Sequence, residues 1–142
     1  MLKHRLIHPE ILEALAAAGH GATVLIADGN YPATTRIGEN AGIVHLNLMP
    51  GLPTVDQVLE AILTAIPVEE AAVMVPDDGE DPTAFVGFQR ILPELDLTRY
   101  TRFEFYEEVA GGDTALVIVT GDQRPYTNLL LTIGVRDQGV ST

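Results

Sequence analysis

The chain has 142 residues, 46% of them apolar, and no cysteine, so disulfides, thiolate catalysis and thiolate zinc sites are excluded. Its formal charge of -12 comes with one lysine, Lys3, and seven scattered arginines, a distribution that repels a phosphate backbone and argues against nucleic acid. No apolar run approaches the roughly 18 residues of a membrane span, and the opening MLKHRLIHPE has no signal-peptide core, so a soluble, cytoplasmic protein without a membrane partner is expected.

A first helix is predicted from residue 9. His8 can cap it, Pro9 suits its first position, Glu10 complements its positive end, and Gly19 offers a left-handed residue after its last turn. Ile11, Leu12 and Leu15 form its buried stripe. The continuous apolar run over 23–27 predicts a strand buried on both faces, stopped by the turn cluster Asp28-Gly29-Asn30-Tyr31-Pro32. A second strand is read over 43–48, ending before Pro50-Gly51. Thr54 and Gln57 then have the spacing of a capping box, and Val55, Val58, Leu59, Ile62, Leu63 and Ile66 recur at helical spacing up to Pro67.

Residues 71–75 read as another buried strand, and Asp81-Pro82 as the opening of a helix that turns Phe85, Phe88, Ile91 and Leu92 inward. Residues 101–109 fit either a strand or a short helix. Two further apolar runs, 114–120 and 128–133, are joined by a loop carrying Gly121, Pro125 and Tyr126. Helices and strands interleave, which predicts an α/β fold: one layered domain over 1–142, helices packed around a largely buried mixed sheet, with 137–142 a loose tail.

His20 lies between two glycines on the helix-to-strand turn. Gly19 and Gly21 permit unusual backbone angles and close approach of a ligand, and imidazole gives and takes a proton near neutral pH. Against that stands an ordinary turn or capping histidine. Asp28 follows a strand's carboxyl end, where ligands commonly bind in α/β sheets, although a loop-capping carboxylate would look the same. Tyr126, Thr127 and Asn128 open the last strand, and phenol, hydroxyl and amide groups there match a sugar as well as they match turn chemistry. His4 and His8 have a chelating spacing only if helical, and Pro9 places them ahead of the helix, so no metal is expected. His45 is expected to face solvent or an interface. The glycines around His20 lack the third glycine of a dinucleotide fingerprint and precede their strand.

The order of these pieces resembles the L-fucose mutarotase and D-ribose pyranase family over nearly the whole chain. The resemblance rests on Pro9-Glu10-x-Leu12, Gly19-His20-Gly21, Ile26-Ala27-Asp28-x-Asn30-x-Pro32, Arg102-Phe103-x-Phe105-Tyr106-Glu107, Thr120-Gly121, Tyr126-x-Asn128 and Gly134-Val135. It implies a cofactor-independent isomerase of free monosaccharides, with His20 as the catalytic acid/base and Asp28, Arg102, Tyr126, Thr127 and Asn128 binding the sugar. It also implies a ring-shaped homo-oligomer, a decamer among the candidates, whose subunits contribute jointly to each pocket. On this reading the turn brings His20 and Asp28 to one end of the strand.

Residues 33–37 and 51–53 look more like the pyranase branch, and 102–106 more like the mutarotase branch. Ala22 stands where members commonly carry an aspartate two residues after the histidine. The expected substrate is L-fucose. The alternatives are pyranose–furanose exchange of D-ribose, or a silent sugar-binding protein that has lost the carboxylate orienting its histidine.

Overall fold

The computed structural model describes residues 1–138, so residues 139–142 of the expected tail lie outside the described residues. The elements run α1 (Pro9–Ala17), β1 (Thr23–Ala27), β2 (Gly42–His45), α2 (Val55–Leu63), β3 (Val68–Met74), α3 (Ala84–Ile91), β4 (Leu97–Tyr100), α4 (Arg102–Val109), β5 (Thr114–Val119) and β6 (Leu129–Ile133). The strands form one sheet in the order β2-β5-β1-β6-β3-β4. β1 is parallel to β5 and β5 to β2, β3 is parallel to β4, and β6 runs antiparallel between β1 and β3. Five carboxyl ends and the amino end of β6 therefore share one edge of the sheet. That edge carries the cleft described below.

Alternation along the central strands divides the core cleanly. Val24 and Ile26 of β1 pack on one face with Ile11 and Leu15 of α1, Val58 and Ile62 of α2, and Phe85 and Phe88 of α3. Leu25 and Ala27 point to the other face, where Phe105, Tyr106 and Val109 of α4 join Tyr31 from the loop after β1. Each large apolar side chain buried in this way contributes about 1.5–3 kcal/mol, which is what holds helices of eight or nine residues that would be marginal alone. No helix among the described residues is long and apolar enough to cross a membrane.

The caps follow the sequence with two differences. His8 accepts from the Ile11 amide through Nδ1, and Thr54 and Gln57 form the reciprocal capping box of α2. α1 closes through Ala18 in extended conformation, and the left-handed glycine is Gly21, φ 87°, rather than Gly19. α3 begins at Ala84 with Thr83 at its cap position, and Asp81 is engaged with Arg99. Residues 101–109 resolve as helix: Thr101 and Glu104 make a second capping box, although the surface of α4 is too polar for an apolar stripe to announce it. β4, a short half-exposed edge strand, has no counterpart in the sequence reading. β2 stops at His45, whose side chain is exposed as expected.

Candidate active site

The loops leaving β1 and entering β6 are tied together by one buried carboxylate. Asp28 is 2% exposed and Asn128 3%. The Asp28 amide donates to Asn128 Oδ1 at 2.9 Å, and Asn128 Nδ2 donates back to Asp28 Oδ2 at 3.3 Å. The same Oδ2 accepts from the Thr127 amide at 3.1 Å, while Oδ1 accepts from the Asn30 amide at 2.9 Å. Burial pushes the Asp28 carboxyl above its ordinary value, and the donated amides only partly counter it.

A second carboxylate fixes the loop between β5 and β6. Asp122 accepts from the Val55 amide at the start of α2 and receives the Arg124 guanidinium on both oxygens, at 3.0 and 2.7 Å. Arg124 Nη2 also reaches Asp56 at 2.7 Å. Burial alone would raise the Asp122 carboxyl, but these hydrogen bonds and the adjacent cation hold it below the ordinary range. Gly121 makes the approach possible: a Cβ there would collide with the carbonyls of Leu52 and Met49. Held at both ends, the loop places Tyr126 at φ 55°, a left-handed conformation uncommon for a residue with a side chain.

Tyr126 thereby faces the helix that the sequence left open. Arg102, the first residue of α4, donates from Nε to the Tyr106 hydroxyl at 3.0 Å one turn on, with its guanidinium carbon 5.6 Å from the centre of that ring. Arg36 lies 5.2 Å from the same ring. Tyr106 packs edge-on against Tyr31. Between them is a cleft of about 190 Å³, walled by Asp28, Asn30, Tyr31 and Asn128 on the β1–β6 side and by Met74, Arg102, Tyr106, Pro125 and Tyr126 on the other. It is smaller than the roughly 300–1,000 Å³ typical of pockets for drug-sized ligands and suits a small polyol.

Four of the five expected binding residues, Asp28, Arg102, Tyr126 and Asn128, line this cleft. Thr127 takes part through its backbone amide, its hydroxyl donating instead to the Pro125 carbonyl at 3.3 Å. Asn30, Tyr31 and Tyr106 were missed. The Thr101-x-x-Glu104 cap would have identified the helix, and helical spacing would then have placed Tyr106 beside Arg102.

His20 is not there. Within one chain it precedes β1, whereas Asp28 follows it, so about 16 Å of strand separates the two groups and the expectation that they share one end is corrected. The reason is directional: the turn that carries His20 enters the strand, and ligand-facing loops leave it. His20 lies in an open surface depression of about 370 Å³ on the opposite sheet edge, beside Ala22, Asn40 and residues 112–115. Its Nε2 is 3.0 Å from both carboxylate oxygens of Glu69.

Comparison with known proteins shows the family and the fold. Residues 1–136 match the RbsD / FucU transport protein family. The chain is 34% identical to the fucose mutarotase of Mus musculus, covering 96% of this chain and 95% of that protein, and 30% identical to D-ribose pyranase 1 of Rubrobacter xylanophilus, covering 95% and 98%. Its fold superposes with TM-score 0.80 on the Streptococcus pneumoniae fucose mutarotase in complex with L-fucose, at 25% identity and covering 96% of this chain and 100% of that one. With a family match over residues 1–136 and near full-length relatives, the chain belongs to the RbsD / FucU family.

Proposed function

We propose that this protein is an isomerase that opens and recloses the ring of a free monosaccharide, L-fucose before D-ribose, with the sugar in the Arg102–Tyr126 cleft and the imidazole of His20 supplied by a neighbouring copy. The observation that carries this reading is a cleft organised for binding that holds no imidazole and whose one carboxylate is committed: Asp28 and Asn128 satisfy each other, while Arg102 and Tyr126 offer donors. Relatives that act as a fucose mutarotase and a D-ribose pyranase support the reaction class. The likeness of residues 102–106 to the mutarotase branch supports the fucose arm, and Arg102, with Nε engaged by Tyr106, has Nη donors for sugar hydroxyls. A free cytoplasmic sugar pool is the setting this implies.

The chemistry balances without a redox partner. His20 takes the proton of the anomeric hydroxyl, whose O–H electron pair becomes the second bond of the carbonyl. The bond from the anomeric carbon to the ring oxygen breaks, its pair stays on that oxygen, and water protonates it. Rotation of the aldehyde and the reverse sequence give the other anomer. Acid/base assistance of this kind is worth about 10² to 10⁴ in rate.

The test is magnetisation exchange between anomers at catalytic protein concentration. Faster exchange is expected for L-fucose than for pyranose–furanose exchange of D-ribose; binding without exchange would leave only a silent sugar-binding protein. Co-expressing His20→Ala with Asp28→Asn tests the shared site, because random assembly leaves about a quarter of the sites with both native groups when they come from different copies. Recovered exchange is the expected result. None recovered, with mixed assemblies verified, would place the whole site within one chain.

A further inference from the structure

We infer that Glu69 is the positioning residue for His20 in this chain, holding Nε2–H so that Nδ1 is the nitrogen left to exchange a proton with the sugar. The inference rests on the sugar-isomerase reading for its catalytic part and on geometry for its positioning part. Ala22, beside His20 in the same depression, has only a methyl group and offers the ring no acceptor. The carboxylate that does reach it comes from another strand: both Glu69 oxygens lie 3.0 Å from Nε2.

Three features of the backbone serve this contact. In the β3–β6 ladder Val68 pairs with Ile133 and Glu70 with Thr132, so Glu69 is an extra residue in β3. Such a bulge re-aims a side chain that strict alternation would point elsewhere. Its effect shows in the packing, since Val68 and Ala71, three apart, both pack in the core on the α1 side of the sheet. Gly134 just beyond β6 leaves the space: a Cβ there would lie 3.3 Å from the Glu69 Cβ and 3.6 Å from Oε2. The His20 turn is fixed to the same place, with the Gly21 amide donating to the Ile133 carbonyl at 2.9 Å. The bulge and the turn are thus both anchored at the end of β6. A neutral imidazole has one donor and one acceptor nitrogen, so an Nε2–H directed at a carboxylate leaves the Nδ1 lone pair as the base. Asp113 is the other ionisable group lining the depression.

Two readouts test this. In ¹⁵N spectra at about pH 9, where histidine side chains are neutral, His20, assigned by its loss in His20→Ala, should show the Nε2–H tautomer in the native protein and a tautomer mixture in Glu69→Ala. In anomer exchange, Glu69→Ala should lose about ten-fold in kcat with KM changed less than about two-fold, Glu69→Gln should retain more, and Ala22→Asp added to Glu69→Ala should restore part of the rate. The rescue separates positioning from support of the sheet, which a carboxylate at residue 22 does not replace. A Glu69→Ala protein with native tautomer and native rate overturns the inference, as does a native Nδ1–H tautomer. If the native protein exchanges no sugar, the functional reading fails and the ring spectra still decide whether Glu69 positions His20.

Discussion

Asp28→Asn removes one oxygen acceptor and a charge at nearly constant shape, so its cost follows from the donors around the carboxylate. Three donors converge there: the amides of Asn30 and Thr127 and Nδ2 of Asn128. The best orientation of the new amide keeps its oxygen on Thr127 and Asn128 and turns its NH₂ toward the Asn30 amide, donor against donor. That loses one charge-assisted bond and leaves a donor facing a donor, about 1–3 kcal/mol, partly offset because no buried charge remains to be desolvated. With a net cost of about 1–2 kcal/mol and an unfolding entropy of about 0.3 kcal/mol/K for a chain of this length, Tm should fall by about 3–7 °C. Melts must be compared at one protein concentration, because any assembly makes Tm depend on it. Exchange should fall at least about ten-fold as the Asn30 and Tyr126 walls lose their common anchor. Asp28→Ala, which loses all three bonds, should melt lower still. An Asp28→Asn protein melting within about 1 °C of native, with unchanged KM, would refute the assignment of this carboxylate as the organiser of the cleft.

His20→Ala should lose about 10² or more in exchange rate with an unchanged melt, while His45→Ala stays within about two-fold; the reverse pattern would move the chemistry to β2. Arg102→Ala should erase the preference for L-fucose over D-ribose, and an unchanged ranking would mean that Arg102 selects nothing. The two buried carboxylates should show opposite pH linkage, read from urea melts of native protein against each Asp→Asn variant. For Asp28, raised in the folded state, the linkage stabilisation is full below the unfolded value near 3.9 and is lost as pH rises through the folded one, so the native advantage over Asp28→Asn should shrink above about pH 4. For Asp122, lowered in the folded state, the stabilisation is full above about pH 4 and is lost as pH falls through the folded value. Two slopes of the same sign would contradict the electrostatics of the site.

Where the chain carried strong local chemistry, the fold could be read directly. The apolar run of β1, the Thr54 cap and the inward phenylalanines of α3 needed no tertiary information. β4 was illegible because an edge strand with one half-buried side can be mostly polar, and α4 because its helix is fixed by a cap and by Phe105, Tyr106 and Val109 rather than by a broad stripe. In the site, a turn chemistry pointed to Asp28 and Asn128, but their reciprocal bonds span a hundred residues and no local pattern shows them. Glu69 was hidden for a different reason. A bulge breaks the very alternation from which a strand residue's direction is read.

His20 enters the proposed reaction through the family resemblance, and the surroundings of the four histidines bear on that proposal. Ring opening needs a group that exchanges protons near neutral pH, and the cleft's own carboxylate is committed to three donors while burial keeps the Tyr31 phenol above its ordinary value. Imidazole is the side chain suited to that exchange, and four are present. His8 caps α1, and His4, exposed ahead of that helix, lines neither the cleft nor the depression on the opposite edge. His45 sits at the carboxyl edge, two strands from β1 and about 10 Å away, and no hydrogen bond among the described residues holds its ring. His20 alone is held by a carboxylate on a turn fixed to the sheet, and it is exposed, as the proposed shared site requires. Under that proposal, joining the His20 edge of one copy to the cleft edge of the next would be a contact between different surfaces, closing into a ring when copies repeat it head to tail and into a dimer when two lie antiparallel. Leu48 and Met49, exposed on the loop after β2, are apolar surface that such a junction would cover.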